Sequence, residues 1–479
     1  MPQKNSKKIS IFQYVVTIVV VGILASGLTL FIYELNGPRT SSHMSNAVKD
    51  DLENISYLYE LIDSQYIEDV SETDLVNGAL KGMTEAIGDP HSVFFPEEAA
   101  KDFDDSVSGS FEGIGASMML ENEYPVIAEP PFEDSPAQKA KLKKGDIITK
   151  VDGKEVKGQP LNEVVSKIKG EKGTKVTLEI MRGNESFSVD IIRDTIPVKS
   201  VKSNIDKTNK DVGYIQITSF NETTSDEFDE AVSSLRKEGA KRFIVDVRGN
   251  PGGVLQNVEK MTSRFLNDGD VIVGFEDKNK ETFEEVAGKK FDKGEKINEP
   301  TVLLMDENSA SASEIMAGAL KAHGFDVIGT TSYGKGTVQT LVPIEGHGEV
   351  KLTISKWLTP DGKWIHEKGV EPTIKVDYPD YLKRVVIDRS MTYEEGVISN
   401  HVETINTYLN ELGYNVGKVS STYTADTTKA IKEFQTASGI EATGKADKAT
   451  VEALETAITQ HWKENDIQYE TALKTVLSK

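Results

Sequence analysis

Apolar residues follow three different spacings along this chain, and each spacing predicts a different kind of segment. Residues 11–33 form an uncharged run of 23 residues, which as a helix rising about 1.5 Å per residue would cross the roughly 30 Å hydrocarbon core of a membrane. Residues 46–100 instead place apolar side chains at helical spacing, as at Leu52, Ile55 and Leu58. From residue 111 onward, short β-branched runs alternate with helical stretches, which is typical of mixed α and β domains.

The alternating region divides into a compact unit over residues 111–194, an α/β core over 195–382, and a helical tail from about 395. The predicted strands lie at 125–129, 145–153, 174–181, 186–192, 212–217, 242–247, 271–275, 301–305, 326–329, 336–342 and 350–357. The predicted helices lie at 135–142, 161–168, 225–238 and 313–322, with three more in the tail.

The residues around the apolar run predict its orientation. Lys4, Lys7 and Lys8 precede it, and no basic residue follows until Arg39, so the N-terminus should stay in the cytoplasm and residues from 40 onward should lie outside. The alternative is a cleavable signal peptide leading to a secreted protein. Such peptides have a shorter apolar stretch of about 7–15 residues and a small-residue cleavage site of the A-x-A type, and no such site is present near Ala25-Ser26-Gly27. We therefore expect a single-pass cell-membrane anchor with an extracytoplasmic remainder.

Composition narrows the possible partners and chemistry. The chain has 479 residues, a net charge of −22, a pI near 4.9 and no cysteine. An acidic protein is a poor match for nucleic acid, because phosphate binding needs a basic surface. Without cysteine there is no disulfide and no thiol nucleophile.

A serine-rich junction lies between the predicted strand 301–305 and the helix that follows it. Ser311 and Glu314 have the spacing of a capping box, which would put Ser311 at the helix N-terminus. Free N–H groups and the positive end of the helix dipole favour an oxyanion there, so Ser311 is the candidate nucleophile. Ser309 lies before the turn, and Ser313 lies inside the first helical turn. The alternative is that Ser311 only caps the helix.

A serine hydroxyl needs a base, and the candidate is Lys335. None of the seven histidines stands beside these segments, and His323 falls at the far end of the helix. A lysine acts as a base only when neutral, so burial would have to lower its pKa by about two to three pH units. Gln339 could orient Lys335, but residues i and i+4 of a straight strand are about 13 Å apart. A bend is required, and Gly334 and Gly336 permit one.

The glycine-rich loop 248–253 follows a predicted strand and can bring bare backbone N–H groups close to a substrate carbonyl. Gly252, with Gly253 as second choice, could supply one oxyanion donor, and Ala312 could supply the other. The alternative is a plain glycine turn.

The order of elements in residues 111–194, with Ser135-Pro136-Ala137 and Lys144-Gly145-Asp146-Ile147-Ile148, strongly resembles a PDZ domain of the bacterial protease type. A PDZ domain adds a peptide as a strand and holds its free carboxylate on backbone N–H groups. The resemblance implies that Gly113, Ile114, Gly115 and Ala116 form this carboxylate loop. The alternative is a glycine-rich strand entry without a ligand.

Several motifs in fixed order, from residue 75 to about 376, resemble the C-terminal processing peptidases, also called tail-specific proteases. They are Gly88-Asp89-Pro90-His91-Ser92, Asp246-Val247-Arg248-Gly249-Asn250-Pro251-Gly252-Gly253, Ser309 to Glu314, Gly334 to Gln339, Thr359 to Lys363 and Lys368 to Pro372. The resemblance is to the membrane-anchored, sporulation-associated peptidases of Gram-positive spore formers. The segment from Ser311 to Lys335 is about one residue shorter in this chain than is usual in that peptidase family. His91 could be a ligand or a base, although a lone histidine after a proline turn is more often structural.

The resemblance implies a multidomain α/β and α+β protein with a ClpP/crotonase-like protease core and an inserted PDZ domain. The expected domains are a cytoplasmic tail and anchor (1–40), a helical N-terminal region (45–104), the PDZ domain (105–194), the protease core (195–382) and a small helical peptidoglycan-binding-like module with a C-terminal helix (395–479). It also implies Ser311 as nucleophile, Lys335 as general base and Gln339 as its support.

The implied activity is endoproteolysis of proteins selected through a free C-terminus, as in the clipping of signalling proteins between two membranes during sporulation. We expect no cofactor and no metal. The tail binds peptidoglycan or serves only packing, and apolar stripes in 46–87 and 455–478 without an obvious partner predict a homodimer. The rival hypothesis is a non-catalytic PDZ scaffold at the cell envelope.

Overall fold

The computed structural model describes residues 46–479. The predicted membrane anchor lies outside this range, and none of the helices within residues 46–479 is long and apolar enough to cross a membrane. The chain divides after Leu80 into two compact units. Helices α1 (Asn46–Gln65) and α2 (Glu72–Glu85) confirm the helical spacing of the N-terminal region, and Leu52, Ile55 and Leu58 on α1 are exposed.

The second unit carries 19 strands, a short 3₁₀ helix (Asp380–Lys383) and the remaining helices of the described chain. The strands are β1 (Val93–Phe95), β2 (Ser110–Gly113), β3 (Met118–Glu121), β4 (Tyr124–Ile127), β5 (Ile147–Val151), β6 (Lys154–Glu155), β7 (Lys175–Arg182), β8 (Glu185–Ile192), β9 (Asp194–Pro197), β10 (Val201–Ile205), β11 (Val212–Ile217), β12 (Arg242–Asp246), β13 (Val271–Asp277), β14 (Thr282–Val286), β15 (Thr301–Met305), β16 (Asp326–Gly329), β17 (Thr337–Ile344), β18 (Gly348–Leu358) and β19 (Ile374–Lys375). The helices are α3 (Glu97–Ser108), α4 (Pro136–Lys139), α5 (Leu161–Ile168), α6 (Thr224–Lys237), α7 (Leu255–Ser263), α8 (Lys289–Asp292), α9 (Ala312–Ala322), α10 (Asn400–Glu411), α11 (Ala425–Ala437), α12 (Lys448–Glu464) and α13 (Ile467–Leu477).

A six-stranded sheet forms the centre of the α/β core, in the order β10-β11-β12-β15-β16-β19. Its strands run parallel except for the antiparallel edge strand β10. Every residue of β15 is buried, because both faces of the sheet are covered, and this explains its continuous apolar run. Helices α6, α7 and α9 pack on one face, and α13 packs on the other through Ala472 and Val476.

The packing of α13 corrects one expectation from the sequence. The apolar stripe within residues 455–478 was expected to lie without a partner and to support dimerisation. Its second half instead covers the sheet of the same chain, against residues such as Ile244, Val302 and Leu304. The amphipathic pattern was therefore informative about burial, but not about which surface would cover it.

A second sheet joins distant parts of the chain, in the order β1-β18-β13-β14, with β17 paired to β18. Strand β1 precedes the PDZ domain in sequence and pairs with β18, Val93 opposite Lys351. This pairing brings the preceding Gly88–Ser92 turn to the β17–β18 hairpin. The sequence pattern predicts a helical region where β1 lies, and it predicts neither α7 nor β14.

The predicted PDZ domain has its own sheet, β3-β4-β5-β7-β8, with β6 on β5, and its own core, including Ile127, Ile148, Leu178 and Ile180. Helix α3 crosses the expected boundary at residues 104 and 105 and continues to Ser108, where Gly109 ends it in a left-handed conformation with φ of 75°. The tail helices α10 to α12 enclose a third core around Ile405, Tyr423 and Phe434.

Candidate active site

Ser311 stands at the sharp turn between β15 and α9. Its backbone has φ of 54° and ψ of −112°, a left-handed conformation that is strained for a residue with a side chain and is found at nucleophile turns. The predicted capping box is present, and the Ser311 N–H donates to Glu314 Oε2 at 2.7 Å. The two neighbouring serines have their hydroxyls committed to the backbone: Ser309 donates to the Val247 carbonyl and Ser313 to that of Asn250.

Glu314 accepts more hydrogen bonds than its predicted place in the capping box requires. Its fully buried carboxylate accepts the N–H groups of Gly334 (2.6 Å) and Lys335 (2.8 Å) and the Ser332 hydroxyl (2.6 Å), besides the N–H of Ser311. One side chain therefore joins the turn at Ser311, called the serine turn below, to residues 332–336 around Lys335, called the lysine loop below.

The backbone of the lysine loop is also held by two indoles. Trp357 Nε1 donates to the Lys335 carbonyl at 2.8 Å, and Trp364 Nε1 donates to the Gly336 carbonyl at 2.7 Å. Burial lowers the pKa of Lys335 and the nearby ammonium of Lys351 lowers it further, against the opposing carboxylates of Asp89 and Glu314. The direction is the one that a lysine base requires.

Ser311, Lys335 and Gln339 line a single cavity of about 490 Å³. Among the described residues, no hydrogen bond joins Lys335 Nζ to Ser311 Oγ or to Gln339. The β17–β18 pairing shifts its register between Val338 and Gln339, so β17 is irregular beside Gln339, but the contact between Lys335 and Gln339 that a bend at Gly334 and Gly336 could allow stays a prediction. The Gln339 amide nitrogen donates to the hydroxyls of Thr337 (3.0 Å) and Thr353 (3.1 Å).

The glycine loop lies directly against the serine turn. A Cβ at Gly252 would come within 2.8 Å of Ser311 Cβ and 3.0 Å of the Ala312 nitrogen, so this approach requires glycine. The Gly252 N–H, our first choice as oxyanion donor, instead donates to Asn250 Oδ1 at 2.8 Å. Within residues 46–479, no acceptor is found for the N–H of Gly253, our second choice, or for that of Ala312.

Other polar groups near the loop belong to a network with the C-terminal helix. Arg248 donates to Asp246 and Gln468, and its guanidinium pairs with Asp466 at 2.8 Å.

His323 follows the last residue of α9, at the opposite end of the helix from Ser311. Its Nε2 lies 2.9 Å from the Val271 carbonyl oxygen, so this histidine is not placed to act as the base for Ser311.

A second cavity, of about 370 Å³, lies at the predicted carboxylate loop of the PDZ domain. Gly113, Ile114, Gly115 and Ala116 line it together with Met118, Val165 and Ile168. In the part of the chain that the structure describes, no acceptor is found for the N–H groups of Ile114, Gly115 and Ala116. The loop therefore presents donors to an apolar groove, which is the geometry that a peptide carboxylate needs.

Helix α3 forms a wall of both cavities. Asp102 and Asp105 line the PDZ groove, Phe103 and Val107 line the cavity that contains Ser311 and Lys335, and Ser106 lines both. Lys169, which follows α5, is bound to this wall: its Nζ lies 2.7 Å from Asp102 and 3.2 Å from Asp105.

Comparison with known proteins agrees with this architecture. Peptidase family S41 matches residues 211–376, a PDZ domain matches 113–192, a putative peptidoglycan binding domain matches 399–454, and the N-terminal domain of the activating protease CtpB matches 32–99. The carboxy-terminal processing protease CtpA of Bacillus subtilis (strain 168) is 41% identical, over 96% of this chain and 97% of its own. CtpB of the same organism is 36% identical, over 95% and 98%. Among solved structures, the photosystem II D1 C-terminal processing protease is 23% identical over 68% of this chain and 92% of its own, with a TM-score of 0.40.

Proposed function

The chain belongs to peptidase family S41, as a carboxy-terminal processing serine protease with a PDZ domain, and from this premise we propose that Ser311, Lys335 and Gln339 form its catalytic site. The observation that supports this proposal best is the cavity that all three line. Ser311 is favoured over its neighbours because the hydroxyls of Ser309 and Ser313 are already donated to backbone carbonyls.

The proposed reaction needs only these side chains and water. Neutral Lys335 takes the hydroxyl proton of Ser311 while Ser311 Oγ attacks the scissile carbonyl, and the resulting ammonium gives the proton to the leaving amine. Water then hydrolyses the acyl-enzyme, with Lys335 again as the base. The N–H of Ala312 is one proposed oxyanion donor. Gly253 is the favoured second donor, because the Gly252 N–H is committed to Asn250.

The assay for the proposed activity is degradation of an unfolded protein. The purified full-length chain in detergent should cut β-casein into fragments that accumulate with time on a denaturing gel. Intact casein after prolonged incubation with folded wild-type protein would instead favour the PDZ scaffold.

The PDZ groove gives a separate prediction about substrate capture. Lys169 is the cation among the residues that line the groove, so Lys169→Met should weaken binding of a fluorescent peptide with a free, apolar C-terminus by about 3- to 10-fold, as expected for one partly screened charge. The same peptide with an amidated C-terminus should bind weakly to both proteins. Fluorescence anisotropy measures both affinities.

The control for this measurement is Lys172→Met. Lys172 is exposed, is paired with Asp194 at 2.8 Å and does not line the groove, so its loss should leave the affinity within about twofold. Equal binding of the free and amidated peptides by the wild-type protein would contradict carboxylate capture by the Gly113–Ala116 loop.

We also propose that residues 11–33 anchor the chain in the cell membrane, with the protease outside. Support comes from the uncharged run and the lysines before it. The full chain should then sediment with membranes and be digested by external protease in spheroplasts. A role in sporulation is proposed from the family resemblance alone, and normal spore formation after deletion of the gene would argue against it.

For assembly, we propose a homodimer formed through the exposed apolar residues of α1. Sedimentation equilibrium should show a dimer that Leu52→Lys together with Leu58→Lys shifts toward monomer.

For the tail, we propose binding to peptidoglycan, supported by the match of residues 399–454 to a putative peptidoglycan binding domain. Failure to co-sediment with purified cell walls would leave the tail a packing role.

A further inference from the structure

The turn formed by Gly88–Ser92 has no part in the mechanism given above, yet it contacts the β17–β18 hairpin, which carries Gln339. Asp89 Oδ2 accepts the hydroxyl of Thr353 at 2.6 Å and that of Ser92 at 2.7 Å, and Oδ1 accepts the His91 N–H at 3.0 Å. Thr353 stands opposite Gln339 in the β17–β18 pair. A carboxylate from a distant part of the sequence is thus two hydrogen bonds away from a proposed catalytic side chain.

The protonation state of Asp89 fixes the direction of this chain of hydrogen bonds. Burial raises the pKa of Asp89, but the hydrogen bonds from Thr353, Ser92 and His91 outweigh burial, so the pKa is lowered overall. An ionised carboxylate can only accept, so Thr353 must use its single proton on Asp89. The Thr353 oxygen is then left as an acceptor for the Gln339 amide.

This direction decides which way the Gln339 amide faces. Both of its N–H groups are used, one on Thr353 and one on Thr337. If the amide turned over, its oxygen would meet the oxygen of Thr353, whose proton is already donated to Asp89, and two acceptors would face each other. The Gln339 carbonyl oxygen is therefore the group left to face the cavity that Gln339 lines.

We propose that Asp89 is a positioning residue, which acts through Thr353 to keep the Gln339 carbonyl oxygen turned toward the catalytic cavity. There this oxygen accepts a hydrogen bond from the Lys335 ammonium that forms when Ser311 loses its proton. The proposal rests on the proposed function of Ser311, Lys335 and Gln339. It assigns to the Gly88–Ser92 turn a role in the rate of the chemical step, because an acceptor for the ammonium stabilises the transition state more than the bound substrate.

The decisive substitution is Asp89→Asn, which keeps the shape of the side chain but reverses the hydrogen bonds. Because it also removes a charge that raises the pKa of Lys335, kcat is compared at alkaline pH, where it no longer changes with pH. The new amide nitrogen would donate to Thr353, the Thr353 proton would turn toward Gln339, and the Gln339 amide would have to turn over. We expect kcat for a peptide substrate to fall about 10- to 100-fold, less than the full contribution of a general base, with KM within about twofold. Unchanged kcat in folded Asp89→Asn protein would overturn the proposal.

A double-mutant cycle separates positioning from a merely structural effect. Gln339→Ala should lower kcat about as much as Asp89→Asn, and the double variant should be no worse than Gln339→Ala alone, because Asp89 acts through Gln339. If the two losses in kcat multiply in the double variant, or if the Gln339→Ala protein is as fast as wild type, the relay of hydrogen bonds from Asp89 through Thr353 to Gln339 is refuted. Ser311→Ala, measured in parallel, tests the proposed function itself, since activity surviving there would show that the nucleophile is wrong.

Two further variants keep the test independent of folding defects at Asp89. Thr353→Val removes the relay hydroxyl and should reproduce the loss in kcat, whereas Thr353→Ser keeps the hydroxyl and should restore most of it. The matched control is Thr459→Val on α12, because the exposed Thr459 hydroxyl donates only to the Glu455 carbonyl of its own helix at 2.7 Å, so kcat should stay within about twofold of wild type. Equal effects of Thr353→Ser and Thr353→Val would contradict the relay.

Discussion

Lys335→Met is expected to lower kcat/KM at least about 1000-fold, and Ser311→Ala is expected to lower it as much. Without the Lys335 amine the serine loses its proposed base, and without the Ser311 hydroxyl there is no nucleophile to deprotonate. Because the two residues serve one step, the double variant should be no slower than either single variant. Initial rates on a fluorogenic peptide and on casein measure this, with Lys280→Met as the control. That lysine is exposed, is bound to Glu276 at 3.1 Å and does not line the cavity.

The pH dependence follows from the same group. The base is the neutral amine, so kcat/KM should rise with pH through the pKa of Lys335, which burial and Lys351 place below the ordinary value for lysine. Lys351→Met removes a neighbouring positive charge, so the pKa of Lys335 should rise and the acidic limb of the profile should move to higher pH. A profile that stays in place would show that another group limits the rate.

Stability gives an independent check on the buried amine. A lysine whose pKa is lowered by folding destabilises the folded state most below that folded pKa, where both states are protonated, and this cost disappears as pH rises toward the unfolded pKa. Lys335→Met should therefore be more stable than wild type at neutral pH, with a difference that shrinks at alkaline pH. Urea unfolding at several pH values measures it.

Much of the fold could be predicted because local patterns and final environments agree. Strand β11 and helix α5 occupy the predicted residues, since their apolar spacing matches the faces they bury. Strand β1 has three residues, too few for periodicity to be detected, and it exists because β18 offers it a partner. Helix α7 was missed because buried polar residues, such as Asn257 and Glu259, obscure its apolar pattern.

The candidate site could be proposed from the sequence where its residues lie in contiguous motifs. The capping spacing identified Ser311 and Glu314, and the glycines around Lys335 indicated a bend. The contacts that complete the site are long-range in sequence: Asp89 with Thr353, Trp364 with the Gly336 carbonyl, and Glu314 with the lysine loop. A single sequence carries no signal for which hydroxyl a carboxylate will meet some 264 residues away, so these partners become visible only once the sheets are paired.

Glu314→Ala is expected to destabilise the protein by on the order of 3–5 kcal/mol and to lower kcat/KM more than about 100-fold. The carboxylate is fully buried and accepts from Ser311, Ser332, Gly334 and Lys335, so its removal leaves four donors without an acceptor in a site that water does not readily reach. Thermal and urea unfolding measure the stability, and peptide hydrolysis measures the rate.

Glu314→Gln covers the case in which the alanine variant does not fold. It preserves volume, but even in its better orientation the amide nitrogen replaces the oxygen that accepts the Gly334 N–H and the Ser332 hydroxyl. The variant should therefore remain folded, be less stable than wild type by about 2 kcal/mol, and still be impaired in kcat. Glu307→Gln is the matched control, because Glu307 is exposed and accepts only from the Thr330 hydroxyl at 2.7 Å among the described residues. Its change should cost less than about 1 kcal/mol. Wild-type activity in folded Glu314→Gln protein would show that the serine turn and the lysine loop keep their arrangement without the bridging carboxylate.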